Sequence, residues 1–304
     1  MEFGISTQIH RSRSVTVDLL ESIRKAGYDG IELFANRPHL DFHNLPLLRS
    51  IGRWFTENAI AAPSLHLPFI EHTGPLNKRW ISVLEPERRH REAAMDEIKR
   101  ALELTDYVRL SYVVMHLGNP KDAFSPVAFE YAYAAISQIR AFAGVEVVIE
   151  NIPNEISTIE RIEEFKRVSD IEGVGICYDT GHGHLQGFTG GFEHARTTHV
   201  HDNHGEKDEH LWPFEGTLVW PALVEKLAVA KYQGPFIFET RGDDLSKGGD
   251  VKSRLEELWY EANHSIEEFR LKYRINSGEG GAHLNSVTEF RNSGVRPPSP
   301  EFRG

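Results

Sequence analysis

Residues 146–182 read EVVIENIPNEISTIERIEEFKRVSDIEGVGICYDTGH and contain one repeat of the unit that decides the fold. The apolar runs at 146–151 and 174–180 have the length and the Val and Ile content of buried strands. Between them, apolar residues at 159–168 recur at the spacing of an amphipathic helix. A helix between two strands returns the chain to the same end of the sheet, so the two strands are predicted to be parallel.

The same unit recurs along the chain. Further apolar runs lie at 3–9, 30–34, 62–68, 112–118, 198–203 and 235–240. Helical patterns are found near 19–26, 45–55, 89–107, 126–142, 220–231 and 251–273, and a less regular one follows Gly187. Eight strand–helix units predict an α/β protein, a closed (β/α)8 TIM barrel, as a single domain over residues 1–275. A doubly wound open sheet is the main alternative, but the glycine-rich phosphate loop usual in that fold does not follow Ile9.

Composition bounds the remaining properties. Residues 276–304 are rich in Gly, Ser, Asn and Pro, and we predict a disordered or mobile tail there. The formal charge of −11 disfavours nucleic acid as a partner. The sequence contains no run of about 18 apolar residues, so we expect no membrane span. The start MEFGISTQIH lacks the pattern of a signal peptide. The single cysteine, Cys177, fits a reducing compartment, so we expect a cytoplasmic location.

Titratable side chains follow the third to the eighth apolar run, and active sites of TIM barrels lie at these strand ends. They are His66, His116, Glu150, Asp179 with His182, His199 with His201, Asp208 and His210 in the next loop, and Glu239. Glu150 and Glu239 each follow a run of apolar residues, where a charge is costly unless it is paired or bound to a metal. Several such groups at one barrel mouth would repel one another, so the sequence predicts a metal site rather than a purely structural polar cluster.

The strings IEN at 149–151, DTGH at 179–182, HVHDN at 199–203 with DEH at 208–210, and FET at 238–240 resemble the xylose isomerase-like superfamily. That superfamily joins sugar isomerases, ketose 3-epimerases, inosose dehydratases and the endonuclease IV class of DNA repair enzymes, and the resemblance covers about residues 3–273. Its epimerases bind one divalent ion through two glutamates, an aspartate and a histidine. The resemblance therefore implies Glu150, Asp179, His201 and Glu239 as metal ligands, with His182 in contact with the substrate.

The endonuclease IV class binds three zinc ions through nine ligands, and this chain has a residue of the right type at each position. The ligands beyond the four named above would be His66, His116, His182, Asp208 and His210, which we expect to bind substrate or a second metal. A DNA enzyme also needs cations that hold phosphates. The loop at 202–216, DNHGEKDEHLWPFEG, instead carries one lysine and five acidic residues, so we expect no nucleic-acid partner.

Other side chains allow two interpretations each. The arginines at 79, 88, 89 and 91 are expected to form a solvated helix start rather than a DNA grip. Trp80, Trp212 and Phe214 would either form aromatic platforms for a sugar or pack within their loops. Glu32, at the end of the second run, would bind substrate or face solvent.

These observations predict a metal-dependent sugar or cyclitol isomerase or epimerase that moves a proton next to a carbonyl through an enediolate. Glu150 and Glu239 would be both ligands and acid/base catalysts, and the ion would be Mn²⁺, Mg²⁺, Co²⁺ or Zn²⁺. Three alternatives stay open: an inosose dehydratase-like lyase, a zinc-dependent apurinic/apyrimidinic endonuclease-like phosphodiesterase, and a non-catalytic sugar-binding barrel. Without a phosphate-cradling glycine loop, an unphosphorylated sugar is expected. Members of the superfamily often form dimers or tetramers, so the resemblance allows a homo-oligomer.

Overall fold

Eight parallel strands close into a barrel in the computed structural model, which describes residues 1–72, 78–120, 122–187 and 190–276. The strands of the chain are β1 Phe3–Ser6, β2 Gly30–Phe34, β3 Ala62–His66, β4 Ile70–His72, β5 Lys78–Trp80, β6 Leu110–His116, β7 Glu146–Glu150, β8 Val174–Asp179, β9 Ala195–Val200 and β10 Phe236–Phe238. The barrel order is β1-β10-β9-β8-β7-β6-β3-β2, and β4 with β5 forms a separate antiparallel pair. Pairing of Phe3 with Phe236 and of Gly4 with Gly30 closes the barrel on both sides of β1.

A helix follows each barrel strand. The helices are α1 Val17–Lys25, α2 Leu45–Asn58, α3 Arg88–Leu102, α4 Pro126–Ala143, α5 Ile159–Ser169, α6 Thr180–Leu185, α7 Trp220–Val229 and α8 Lys247–Asn276. Short 3-10 helices lie at Thr7–His10, Glu103–Asp106 and Phe192–His194. The predicted (β/α)8 barrel is therefore confirmed.

The apolar pattern of the sequence accounts for the packing. Every residue of β2, β3 and β8 is buried, as expected for strands covered on both faces. In α1 the side chains of Leu19, Leu20 and Ile23 are buried, while Thr16 caps the helix by accepting a hydrogen bond from the Leu19 amide.

Two local features differ from the sequence prediction. The loop after β3 contains the pair β4 and β5, which was not predicted because both strands are three residues long and β5 is exposed. The helix expected after Gly187 is wrong: α6 begins at Thr180, immediately after β8, because the Asp179 carboxylate caps it. Among the described residues that follow Gly187 before β9, the only helical segment is Phe192–His194.

The chain divides into two compact units, Met1–Asn263 and the segment from His264 onward. The first unit contains all strands of the barrel, and the described part of the second, residues 264–276, is the last part of α8. The predicted tail lies outside the described residues except for Asn276, so the limit at 275 stays a prediction. None of the described helices combines the length and apolar character needed to cross a membrane.

Candidate functional site

Glu150 is the centre of the polar cluster at the carboxyl ends of the strands. Its Oε2 lies 3.1 Å from His66 Nε2, 3.2 Å from His116 Nε2 and 3.2 Å from His199 Nδ1. Its Oε1 lies 3.1 Å from His182 Nδ1. Four imidazoles from different parts of the chain thus surround one fully buried carboxylate.

Three adjacent sets of side chains have ligand atoms within 4.8 Å of one another. The first group is His66, His116 and Glu150; the second group is Glu150, Asp179, His199 and Glu239; the third group is His182, His201, Asp208 and His210. Two further combinations reuse these residues, one of them with the buried Cys177. All nine side chains singled out from the sequence are therefore brought together at the barrel mouth, together with His199.

Three of the four ligands implied by the resemblance fall in one group in the structure, and the fourth, His201, falls in another. Glu150, Asp179 and Glu239 meet as expected, but the imidazole grouped with them belongs to His199, while His201 belongs to the third group. His199 lies within β9, in register with Asp179, whereas His201 follows the strand end. Residues two apart share a face of a strand but lie about 6.6 Å apart along it. His201 instead lies beyond the end of β9 and contacts Asp179, with its Nε2 2.9 Å from Asp179 Oδ1.

The hydrogen bonds of two histidines indicate that a cation fits between these groups. Nδ1 of His66 faces the Leu67 carbonyl at 3.0 Å, and Nδ1 of His210 faces the Glu239 carbonyl at 2.6 Å. A carbonyl only accepts, so each Nδ1 carries the proton in a neutral ring and the Nε2 lone pair points at a carboxylate. Two acceptors facing each other need a proton or a metal ion between them, and neutral imidazoles held by backbone carbonyls are typical metal ligands.

Buried polar atoms without a hydrogen bond support the same conclusion. Within the described residues, Nδ1 of His199, Oε1 of Glu150, Nδ1 of His182 and Oδ1 of Asp208 are buried and make no well-aligned hydrogen bond, although Glu150 Oε1 and His182 Nδ1 lie 3.1 Å apart. Such atoms are rare in folded proteins and call for an ion or water. The mixed imidazole and carboxylate donors suit Zn²⁺, Mn²⁺ or Co²⁺.

Glu239 differs from the other carboxylates of the cluster in its protonation. Burial raises the pKa of Glu239 to about 7, and the negative charge of Glu150 acts in the same direction. Burial opposes ionisation of Glu150 too, but the contacts of His116 and His199 outweigh it and hold its pKa well below the ordinary value. Burial lowers the pKa of His210 to about 4, so this ring is neutral near pH 7.

A cavity of about 740 Å³ opens above the cluster. Seven of the predicted site residues line it: His66, His116, Glu150, His182, Asp208, His210 and Glu239. Aromatic rings of Phe34, Phe69 and Trp80 also line the cavity, and Phe69 stacks on His116 with ring centres 4.3 Å apart. An apolar wall beside converging polar groups is the usual form of a small-molecule site.

Of the three aromatic residues proposed as sugar platforms, only Trp80 lines the cavity. Trp212 is buried against Phe238, with ring centres 5.5 Å apart, and Phe214 packs on Trp220. These two rings are loop-packing hydrophobes, because the loop after β9 folds back onto the barrel core.

Glu32 takes neither role that the sequence suggested for it. It is fully buried inside the barrel, where its Oε2 accepts a hydrogen bond from Ser64 Oγ at 2.6 Å and lies 3.1 Å from His199 Nε2. Cationic residues of the cavity wall were missed altogether: Arg11, Arg37, Lys78 and Arg241. The rule that active sites lie after strand ends would have pointed to Arg241, which follows β10.

Comparison with known proteins agrees with the architecture. A family model described as xylose isomerase-like TIM barrel matches residues 20–266. The uncharacterized protein y4fM of Sinorhizobium fredii is 30% identical over 207 residues, which make up 62% of this chain and 63% of that protein. The match thus spans less than two thirds of this relative's length.

Two solved structures illustrate the similarity of fold. A D-tagatose 3-epimerase-like protein superposes with a TM-score of 0.69 at 22% identity, covering 88% of this chain and 100% of that one. The IolI protein with a bound zinc atom gives a TM-score of 0.65 at 16% identity, covering 87% of this chain and 99% of that one. At these identities the likeness shows the fold alone.

Proposed function

Because the chain belongs to the xylose isomerase-like TIM barrel family, we propose that it is a divalent-metal-dependent isomerase or epimerase of a sugar or cyclitol. One observation carries the proposal: the ligand oxygens of Glu150 and Glu239 approach within 4.8 Å of each other beside Asp179 and His199. Two carboxylates at this spacing, below a cavity of sugar size, suit proton transfer at a carbon next to a carbonyl. The zinc atom of the IolI structure and the epimerase-like neighbour support the same class.

Glu150 and Glu239 would share the proton transfer. They come from β7 and β10, which are separated by two strands of the barrel, so they would approach the substrate from different directions. One carboxylate removes the proton and the other returns one, on the opposite face for an epimerase. A lyase of the dehydratase type would share the first step and then expel hydroxide.

The remaining groups would bind and orient. A divalent ion held by Glu150, Asp179, His199 and Glu239 would supply positive charge that stabilises the enediolate oxygens. His201 would position Asp179, and His66, His116, His182, Asp208 and His210 would bind substrate hydroxyls or a second ion. The phenyl rings of Phe34 and Phe69 would exclude water from one side of the cavity. The single, buried Cys177 supports a cytoplasmic location as part of the proposal.

A zinc-dependent phosphodiesterase is the second candidate, and one observation favours it. The three ligand groups are adjacent, and the first and second share Glu150, as a site for several ions would require. Metal analysis of the purified protein separates the candidates, since about one ion per chain favours the sugar enzyme and three zinc ions favour the phosphodiesterase.

Exchange of solvent deuterium into candidate sugars tests the leading proposal, because it detects proton abstraction without knowledge of the product. We expect exchange by the wild type and a loss of about 10²–10⁴-fold in Glu239→Gln, which cannot accept a proton as a carboxylate does. Glu225→Gln, an exposed residue of α7, is the matched control and should exchange at the wild-type rate. Wild-type exchange by Glu239→Gln would exclude the two-glutamate mechanism.

A further inference from the structure

Two arginines, Arg11 and Arg241, line the cavity. Arg11 ends the 3-10 helix after β1, and Arg241 is the second residue after Glu239. β1 and β10 are neighbours in the barrel, so the segments that leave their carboxyl ends run together. Asp243 ties these segments to each other, because its amide donates to the Ile9 carbonyl at 3.4 Å and its Oδ1 lies 2.5 Å from His10 Nδ1.

The hydrogen-bonding capacity of this pair is mostly unused. Arg241 donates through Nη1 to the Asp208 carbonyl at 3.0 Å, while its Nε is buried and makes no hydrogen bond to any described residue. The Arg11 side chain is exposed and has no ion pair or hydrogen bond within the described residues. Burial lowers the pKa of Arg241, and the neighbouring charge of Arg11 acts in the same direction.

The partners of Arg37 make it a useful contrast. Its guanidinium also lines the cavity but lies within 4.0 Å of three carboxylates, those of Asp41, Glu71 and Glu97. Its charge is already balanced within the protein. Arg241, by comparison, has one ion pair among the described residues, with Asp208 at 3.5 Å from its Nη2, and that carboxylate belongs to the third ligand group.

We infer that Arg11 and Arg241 form a subsite for an anionic group, a phosphate or a carboxylate, that the substrate carries. The inference rests on the proposed function and narrows its substrate to an acidic sugar or a sugar phosphate. The planar guanidinium binds both anions through paired N–H groups, so no glycine-rich loop is required. An acidic sugar would agree with the expectation of an unphosphorylated substrate, whereas a sugar phosphate would depart from it.

The position of the pair suits such a substrate. Arg241 follows the strand that carries Glu239, and both residues line the same cavity. An anion between the arginines would relieve their mutual repulsion and offer an acceptor to the buried Nε of Arg241. The rest of the sugar would then extend along the cavity toward the two glutamates.

Binding of matched ligands tests the subsite. Dissociation constants are measured by calorimetry for D-ribulose against D-ribulose 5-phosphate, and for D-glucose against D-glucuronate, on the full-length protein. We expect at least one anionic member to bind about tenfold or more tightly than its neutral partner. Arg11→Gln should remove that preference. Arg13→Gln, an exposed arginine two residues away that does not line the cavity, should keep it.

Equal binding of both members of each pair would overturn the inference. So would an anion preference that survives in Arg11→Gln, because the anion would then be bound by other groups, such as a metal ion or Lys78 of the cavity wall. Titration of inorganic phosphate into chelator-treated protein separates this inference from the proposed function. Phosphate binding that depends on Arg11, without deuterium exchange into any sugar, would keep the anion subsite and remove the isomerase. Deuterium exchange into neutral sugars, without phosphate binding that depends on Arg11, would keep the isomerase and remove the anion subsite.

Discussion

The Nε2 of His199 lies 3.1 Å from Oε2 of Glu32, and both side chains are fully buried in the barrel. The contact holds the imidazole with Nδ1 toward Glu150 and Glu239, at 3.2 and 3.4 Å. A carboxylate behind a metal-binding histidine fixes its tautomer and raises its basicity. Glu32 would therefore act as a positioning residue for His199, and it does not itself line the substrate cavity.

Replacement of Glu32 by Gln should weaken metal binding by about 10–100-fold, because the imidazole loses its negatively charged partner. The change is measured by competition against a chelating dye. Ser64→Ala removes the other hydrogen bond of Glu32 but keeps its contact with His199, so we expect a smaller effect from it. An unchanged metal affinity in Glu32→Gln would show that His199 is not a ligand.

Gly181 lies against the ring of His201, and a side chain there should disturb the third group. A Cβ at this position would lie 2.0 Å from His201 Cε1. We expect Gly181→Ala to cost about 1–3 kcal/mol of unfolding free energy and to displace His201 from Asp179. Gly249→Ala, at a helix position where a Cβ meets nothing within 4 Å, is the control. Equal stability of the two variants in urea titrations would contradict the close packing.

Metal-free protein should lose stability as Glu239 ionises. Its pKa of about 7 in the fold exceeds the ordinary 4.5, so this group stabilises the fold fully below pH 4.5 and loses that contribution as the pH rises through 7. The difference between these two pKa values corresponds to about 3 kcal/mol of unfolding free energy, because one pKa unit is worth about 1.4 kcal/mol. Glu239→Gln lacks this ionisation, so its stability relative to chelated wild type should rise between pH 4.5 and 7. If the unfolding free energies of the two proteins changed with pH in the same way, the pKa of Glu239 would not be raised.

A duplex with an abasic site should not be cleaved at physiological salt. Three of the four arginines at residues 79–91, after β3, are paired with carboxylates: Arg79 with Glu71 at 2.8 Å, Arg88 with Glu92 at 2.7 Å and Arg89 with Glu87 at 2.7 Å. The fourth, Arg91, donates to the carbonyls of Glu85 and Pro86. Bending a duplex costs several kcal/mol that phosphate contacts must repay. Efficient zinc-dependent nicking would instead establish the phosphodiesterase as the function.

The strand ends were the part of the site that the sequence could predict. Parallel strands of a barrel all end at one mouth, so Glu150, Asp179 and Glu239 had to meet once the strands were recognised. The resemblance implied His201 as a ligand, whereas the structure groups His199 with the three carboxylates. The sequence could not separate the two histidines, because both lie on one face and only the register of β9 decides their depth. The burial of Trp212 and the exposure of Arg11 depend on how loops fold back, which periodicity does not encode.

The closure of the barrel by β1 and β10 also orders events during synthesis. Phe3 leaves the ribosome before its partner Phe236, which lies far downstream in the chain, has been synthesised. Until then β1 has one open edge, and the second ligand group lacks Glu239. The nascent chain can assemble the first group, from His66, His116 and Glu150, well before it can complete the second. Metal uptake at the second group would thus require that β10 and Glu239 have been synthesised and have joined the barrel.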